Sequence, residues 1–151
     1  MSKNAASEPP QADRCVAVSV YVLRCRAGAT ELLFLRRSGG RFAGQWWPVT
    51  GTCKLAEEPV LCARRELLEE TGLSPRSLLK TELTVPVEGG GHLRIYVAGV
   101  AASARVRTNW EHDAYRWCAA DDAVEVVGEF AAPIVREAVR LFDSQSYGSA
   151  Y

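Results

Sequence analysis

The stretch "GTCKLAEEPVLCARRELLEETGL", residues 51–73, contains three glutamates that a helix would bring onto one face. Glu66, Glu69 and Glu70 stand at positions i, i+3 and i+4, and side chains with this spacing point the same way from a helix. Like charges so placed repel one another by about 0.2–0.5 kcal/mol per pair. A divalent cation held by carboxylate oxygens, as Mg²⁺ is in proteins, would offset that repulsion. A solvated acidic face is the alternative, and the cluster alone leaves both interpretations open.

The same stretch predicts a helix over residues 58–71. Pro59 fits the first turn of a helix, where a missing N–H costs little. Gly72 fits the position just after a helix end, where a left-handed backbone is common. We expect the apolar side of this helix to face the core, and it consists of Leu61, Ala63, Leu67 and Leu68.

The rest of the chain predicts one domain. Its 151 residues suffice for a single hydrophobic core. We expect a disordered lead-in over residues 1–13, the folded domain over residues 14–143 and a flexible tail over residues 144–151, because both ends are polar.

Strands and a closing helix are predicted within that domain. Residues 38–51, rich in glycine and with two adjacent tryptophans, predict a loop. The amphipathic run "PIVREAVRLF" predicts a helix over residues 133–142. This order of elements predicts an α+β fold in which a mixed β-sheet is sandwiched between α-helices. The predicted strands cover residues 15–25, 31–37, 77–87, 92–102 and 115–118.

The charge balance limits the partners that the chain can bind. Lys plus Arg number 18, as do Asp plus Glu, so the formal net charge is zero. That balance argues against binding of a nucleic acid polymer, which requires a broad basic surface. A nucleotide needs only a few local cations or a metal ion and is not excluded. We expect no membrane partner, because no apolar run approaches the roughly 18 residues of a membrane span.

The cysteines predict free thiols. Their number is odd and no CxxC motif occurs, so the pattern suggests neither a disulfide framework nor a zinc site. We expect small buried hydrophobic side chains and a reducing, cytoplasmic location. The five are Cys15, Cys25, Cys53, Cys62 and Cys118.

The spacing within residues 51–73 resembles the signature of the Nudix (MutT-type) hydrolase family. Gly51 is followed by five residues, Glu57, seven residues and then the run "RELLEETGL" that starts at Arg65. This matches every fixed position of the family signature, and the surrounding strands, loop and closing helix also resemble the family over residues 15–143. The resemblance implies the Nudix fold, in which this stretch forms a loop–helix–loop, the Nudix box.

The resemblance also implies roles for the box residues. Nudix enzymes use Mg²⁺, with Mn²⁺ as a substitute, to hydrolyse diphosphate linkages. By position, Glu66, Glu69 and Glu70 are the expected metal ligands, and Glu66 and Glu69 are also expected to be catalytic. Glu57 is expected to be a further ligand or to support the ligands through Arg65, which orients the carboxylates. The main-chain carbonyl near Thr50 is expected to complete the metal coordination. Gly51 and Gly72 are expected to be the backbone pivots of the box.

A second segment, "WEHDAYRW" at residues 110–117, resembles one found in family members that cleave dinucleoside tetraphosphates, dATP or dihydroneopterin triphosphate. Glu111 is the candidate there for a metal ligand or for the base that activates water, the alternative being an exposed loop acid. His112 could contact phosphate, or it could be structural. Two residues near the box, Lys54 and Ala56, differ from those common in the family, and Lys54 leaves the number of bound metals open.

Aromatic and basic residues are the candidates for substrate contact. A base or pterin ring would stack on an aromatic side chain, and arginine suits phosphate oxygens. The alternatives are core packing for the aromatic residues and solvated loop cations for the arginines. The candidates we retain are Trp46, Tyr115, Arg37 and Arg41.

Together these features predict a Mg²⁺-dependent pyrophosphohydrolase. The expected substrate is a nucleoside triphosphate or a related nucleotide, of the dNTP or dihydroneopterin triphosphate type, cleaved to monophosphate and pyrophosphate. Hydrolysis of dinucleoside tetraphosphates is the close alternative. A non-catalytic nucleotide-binding module is a third hypothesis, which the intact set of box residues disfavours. The oligomeric state stays open, and a homodimer is compatible with the family.

Overall fold

A mixed sheet is the centre of the structure, a computed structural model that describes residues 13–148. Seven strands build it within that part of the chain: β1 (Cys15–Arg26), β2 (Ala29–Arg37), β3 (Trp46–Trp47), β4 (Val49–Thr52), β5 (Ser77–Pro86), β6 (His92–Gly99) and β7 (His112–Ala119). Their order is β3-β2-β1-β6-β5, with β4 paired to β1 and β7 paired to β2.

The long strand β1 organises the sheet. It forms an antiparallel hairpin with β2, closed by Ala27 and Gly28, whose φ angles of 52° and 80° suit a two-residue hairpin turn. It also pairs in parallel with β6 and antiparallel with β4. Parallel and antiparallel pairs therefore coexist, and the prediction of a mixed sheet is confirmed.

Alternation along β1 gives the sheet two buried faces. Val18, Val20 and Val22 lie in one core cluster, together with Leu67 of the first described helix, α1 (Pro59–Thr71). Side chains of opposite phase, such as Tyr21 and Leu23, lie in a second cluster with α2 (Ala123–Val127) and α3 (Ala132–Gly148). Because successive residues of a strand point to opposite faces, one strand serves both cores, and the predicted sandwich is confirmed.

Helix α1 has the predicted ends but not the predicted face. Pro59 occupies its first turn, and Gly72 caps its end with φ of 72° and an N–H bonded to the carbonyl of Leu68 at 2.9 Å. The prediction that Leu61 and Leu68 face the core is wrong, because they are 53% and 57% exposed. The helix is rotated so that two carboxylates share its buried face, which comprises Cys62, Ala63, Glu66, Leu67, Glu70 and Thr71.

Several other boundaries differ from those predicted. The predicted loop at residues 38–51 contains β3 and most of β4, two short strands held only by pairing with distant residues. Strand β7 begins at His112, earlier than predicted, and α3 continues past Phe142 to Gly148. Residues 1–12 of the predicted lead-in and residues 149–151 of the predicted tail lie outside the described residues.

Within residues 13–148, none of the helices combines the length and the apolar character that spanning a membrane would require.

The rotation of α1 predicts contrasting effects for two adjacent leucines. Leu67 is fully buried, so Leu67→Ala should lower the free energy of unfolding by about 2–5 kcal/mol, as cavity-forming substitutions do. Leu68→Ala is the matched control and should change it by about 0.5 kcal/mol or less. Urea unfolding of both variants measures this difference, and equal losses would contradict the helix orientation.

Candidate active site

Arg65 forms the hub of a network on helix α1. Its guanidinium donates to both carboxylate oxygens of Glu57, at 2.8 and 2.9 Å. It also donates to Glu66 at 3.0 Å, to Glu69 at 3.2 Å and to the carbonyl of Thr52 at 3.1 Å. A guanidinium has five donors and no acceptor, so this residue can orient the carboxylates and cannot itself bind a cation.

Glu57 is fully engaged by that network. The hydrogen bonds from Arg65, followed by one from the backbone N–H of Lys54, lower the pKa of Glu57 to about 2. The Lys54 N–H lies 2.9 Å from one Glu57 oxygen, and Arg65 donates to both oxygens. The structure therefore favours the support of Arg65 over direct metal binding as the role of Glu57.

Glu66 and Glu70 are buried side by side. They are 8% and 2% exposed, and each carboxyl group affects the pKa of the other. Burial raises the pKa of both, and for Glu70 the nearby charges of Glu66 and Glu111 add to this effect, partly offset by a backbone hydrogen bond from Thr50. Two ionised carboxylates side by side repel each other. Arg65 compensates the charge of Glu66, so Glu70 requires a proton or a further cation.

Glu69 lies at the rim of this pair. Its side chain is 51% exposed and forms an ion pair with Arg65. Within residues 13–148, Cys53, Glu57 and Cys62 have possible metal-ligand atoms that all lie within 4.8 Å of one another. The three box glutamates do not form such a group. In the structure Glu66 therefore lies beside Glu70, whereas Glu69 lies next to this pair and is bound by Arg65.

The donor set nevertheless fits a hard divalent cation. Oε1 of Glu70 is buried and has no hydrogen-bond partner. Carboxylate oxygens are the ligands that Mg²⁺ and Mn²⁺ prefer. A cation between Glu66 and Glu70 would take the place of a proton on Glu70, so these two buried groups are the ones that would hold it, with Glu69 at the rim.

The close approach of loop and helix requires a glycine at position 51. A Cβ atom on Gly51 would lie 2.0 Å from Cδ of Glu66. No side chain can therefore replace hydrogen there unless the Glu66 carboxyl group moves.

Glu111 and His112 come from the other side of the site. The backbone of Glu111 accepts from the N–H of Ser38 at 2.9 Å, and its N–H donates to the Asn109 side chain at 3.1 Å. Its charge contributes to the raised pKa of Glu70. His112 is buried in β7, with Nε2 at 3.9 Å from Oε1 of Glu70. His112 lies outside the predicted strand at residues 115–118, and the register shift beside it puts it on the sheet face of Trp117 rather than that of Cys118.

A mainly apolar cavity lies on the sheet face of the second core cluster, and no box glutamate is among its described lining residues. Its volume is about 720 Å³, and its walls include Trp46, Ile95 and Phe130. The hydroxyl groups of Ser19 and Thr50, 2.9 Å apart, also line it. Thr50 precedes Gly51, which packs against Glu66, so this segment of β4 connects the cavity wall with the box.

The predicted substrate residues are only partly brought together. Trp46 lines the cavity, whereas Tyr115, Arg37 and Arg41 are not among its described lining residues. Tyr115 is 48% exposed. The guanidinium of Arg37 lies 5.2 Å from the ring centre of Trp47. Sequence analysis missed the contribution of α2 and of the turn after it to the cavity, because no motif marks that segment.

The cysteine prediction is wrong in one respect. Cys53 and Cys62 form a disulfide, with their Cα atoms 5.4 Å apart. The box loop folds back onto α1 and brings together two residues that form no CxxC motif. The bond also removes the argument for a cytoplasmic location, which rested on free thiols. Of the remaining cysteines, Cys118 is buried as expected and Cys25 is exposed.

The contact at position 51 predicts loss of metal binding in Gly51→Ala. The added methyl group would displace the Glu66 carboxyl group, so Mn²⁺ affinity should fall by about 10–100-fold, the range seen when a ligand loses its orientation. Gly39→Ala is the control, because a Cβ atom there meets nothing within 4 Å. Calorimetric titration with Mn²⁺ measures both, and an unchanged affinity in Gly51→Ala would contradict the placement of Glu66.

The disulfide predicts a redox-dependent stability. Reduction should lower the free energy of unfolding by about 2–3 kcal/mol, the value for a loop of this length. The double variant Cys53→Ser, Cys62→Ser should be equally destabilised and should not respond to reductant, whereas Cys25→Ser should behave as the parent protein. Urea unfolding with and without a reducing phosphine tests this, and a parent protein insensitive to reductant would refute it.

Comparison with known proteins gives a consistent result for the fold. A Caenorhabditis elegans Ap4A hydrolase, solved as a binary complex, superimposes with a TM-score of 0.71 at 22% identity, over 85% of this chain and 97% of that one. The NUDIX domain of Shewanella oneidensis NrtR, solved with ADP ribose, superimposes with a TM-score of 0.70 at 17% identity, over 93% and 97%. At these identities the likeness establishes the fold alone.

The sequence comparisons address the family. An octanoyltransferase of Myxococcus xanthus is 33% identical over 118 residues, which cover 72% of this chain. The chain spans only 32% of the length of that protein. A family model for the NUDIX domain matches residues 13–140, nearly the whole of the described structure. The chain therefore belongs to the NUDIX family.

Proposed function

We propose that this chain is a metal-dependent pyrophosphohydrolase that cleaves a nucleoside triphosphate, or a related nucleotide of the dihydroneopterin triphosphate type, to monophosphate and pyrophosphate. The observation that carries the proposal is the burial of Glu66 and Glu70 side by side on helix α1. A buried pair of acids destabilises a fold unless a ligand compensates for it. Such a pair is therefore typical of a functional site.

Mg²⁺, with Mn²⁺ as a substitute, is the cofactor that we propose. Glu66, Glu69 and Glu70 would hold it, with the main-chain carbonyl near Thr50 as a further donor. When bound, such a cation would neutralise phosphate oxygens and make the attacking water more acidic. Arg65 would keep Glu66 and Glu69 aligned through its hydrogen bonds, which Glu57 in turn fixes.

Glu111 is the proposed base. It lies close enough to act electrostatically on Glu70, and its loop is fixed by hydrogen bonds through Ser38 and Asn109. A carboxylate held at the site can accept the proton of water as its oxygen attacks phosphorus. The pyrophosphate leaving group departs as the oxygen–phosphorus bond on the far side breaks.

The cavity would receive the base or pterin ring. Trp46 offers a planar face for stacking, and the apolar walls exclude water from the ring. Arg37 and Arg41 would contact the phosphate chain outside the cavity. Tyr115, exposed on β7, would contact a part of the substrate that remains outside.

Dinucleoside tetraphosphate hydrolysis is the second candidate. The fold matches that of a C. elegans Ap4A hydrolase. Exposed Tyr115 offers a second aromatic surface, which the other nucleoside of such a substrate would need. A non-catalytic module is the third, since a NUDIX domain of similar fold was solved with ADP ribose.

A substrate panel with a matched pair of variants tests the proposal. Nucleoside triphosphates, dihydroneopterin triphosphate, diadenosine tetraphosphate and ADP-ribose would be incubated with Mg²⁺, and the products identified by chromatography. We expect monophosphate and pyrophosphate from a triphosphate, and Glu69→Gln should reduce kcat by about 10²–10⁴-fold. Glu58→Gln, at an exposed residue with no side-chain cap bond, should leave kcat unchanged.

Other outcomes of the panel would change the assignment. ATP and AMP from the tetraphosphate as the dominant products would favour the second candidate. Tight nucleotide binding without turnover, with Mg²⁺ and with Mn²⁺, would favour the binding module. Equal turnover by the Glu69 and Glu58 variants would contradict the role given to the box.

A further inference from the structure

We propose that His112 is a positioning residue that donates a hydrogen bond from Nε2 to Oε1 of Glu70 and so fixes the carboxylate that holds the divalent cation. The inference rests on the proposed role of Glu70 as a metal ligand. It concerns a residue outside the box, on a different strand, and its test does not depend on turnover of any nucleotide.

Both side chains, Glu70 and His112, have a buried polar atom without a hydrogen-bond partner. Among the side chains of the described residues, the buried nitrogen and oxygen atoms without a hydrogen-bond partner include Oε1 of Glu70 and Nδ1 of His112. Both side chains are 2% exposed, and Nε2 of His112 lies 3.9 Å from that Glu70 oxygen. Buried polar groups almost always find partners, so this gap should close to a hydrogen bond when Glu70 takes up its ligand-bound orientation.

Glu70 needs a donor of this kind. The acidic groups that act on it are Glu66 and Glu111, and an ionised carboxylate can only accept hydrogen bonds. His112 is placed to supply one. Each carboxylate oxygen has two lone pairs, so Oε1 can accept this bond and still offer a lone pair to the cation.

The proposed hydrogen bond requires a proton on Nε2 of His112. A neutral imidazole has one donor and one acceptor nitrogen. With the proton on Nε2, Nδ1 is an acceptor.

Arg37 offers the complementary donor. It is the register partner of His112 across β2 and β7, and its Nε is also buried without a hydrogen-bond partner. Side chains on directly opposed residues of paired strands share one face of the sheet. A hydrogen bond from Arg37 to Nδ1 would leave the proton of a neutral imidazole on Nε2, the tautomer that donation to Glu70 requires.

A β-bulge brings His112 into this position. The register changes from Arg36 opposite Ala114 to Arg37 opposite His112, which leaves Asp113 as the extra residue. Asp113 turns outward to an ion pair with Arg36 at 2.7 Å. Bulges redirect side chains next to functional sites, and this one places a histidine, rather than an aspartate, against Glu70.

Three substitutions separate positioning from packing. His112→Gln keeps a donor near the place of Nε2, His112→Leu removes it at similar volume, and His112→Asn remains polar but is too short to reach Glu70. We expect Mn²⁺ affinity to fall about 10–100-fold in the Leu and Asn variants and to stay within about threefold of the parent in the Gln variant. His92→Leu, which changes the other histidine, is the control.

The measurement is Mn²⁺ binding without nucleotide, followed by electron paramagnetic resonance of the free ion and checked by calorimetry. Urea midpoints of the metal-free proteins show whether each variant folds. If the Leu variant does not fold, the comparison of Gln with Asn decides. The ¹⁵N chemical shifts of the labelled histidines in the parent protein report the tautomer directly, and a proton on Nδ1 would overturn the proposal.

Equal losses of affinity in all three His112 variants would show a packing role and overturn the proposal, as would parent affinity in the Leu variant. A parent protein that binds no Mn²⁺ would overturn both this proposal and the ligand role of Glu70. If the protein binds Mn²⁺ but hydrolyses no nucleotide, the proposed function fails while the comparison of variants still decides the role of His112.

Discussion

The burial of two carboxyl groups side by side, Glu66 and Glu70, is the constraint on which the rest of the structure depends. Neither group can be ionised beside the other at low cost in such a place. The side chains around them either provide space or restrain them. Gly51 provides the space for Glu66, and Arg65 donates to the same carboxylate at 3.0 Å.

The same constraint explains how the box loop is held. Arg65 links the loop to helix α1 by bonding Glu57 and the Thr52 carbonyl from the helix. The Cys53–Cys62 disulfide makes a second link between the same two segments. A loop fixed twice can press a backbone glycine against a buried carboxylate, and this preorganisation is what a site for a small, highly charged cation requires.

Much of this architecture follows from local signals in the sequence. The alternation in β1 and β2, Pro59 at the start of α1 and Gly72 at its end each encode their own structure locally, and those predictions are confirmed. The spacing of the box residues predicted which acids lie together on one helix. The predicted buried face of the helix was wrong. Hydrophobicity alone assigns Leu68 to the core and Glu70 to water, whereas in the structure Leu68 is exposed and Glu70 is buried.

Other features depend on contacts between distant residues. Strands β3 and β4 are too short to have a pattern of their own and exist through pairing with β2 and β1. The disulfide, the bulge at Asp113 and the cavity wall from α2 arise only when separate segments meet. A single sequence carries no local signal for contacts between distant segments. For that reason His112 was identified as a candidate for phosphate contact and not as a neighbour of Glu70.

The most direct test of this account is the stability of Glu70→Gln with and without Mg²⁺. Glutamine has the shape of a protonated glutamate, so without metal the variant should be at least as stable as the parent in urea unfolding. Mg²⁺ at about 100 times its dissociation constant should stabilise the parent by about 2.7 kcal/mol and the variant far less. A variant that is less stable without metal, and that gains as much from Mg²⁺ as the parent does, would contradict the claim that this buried pair is built for a cation.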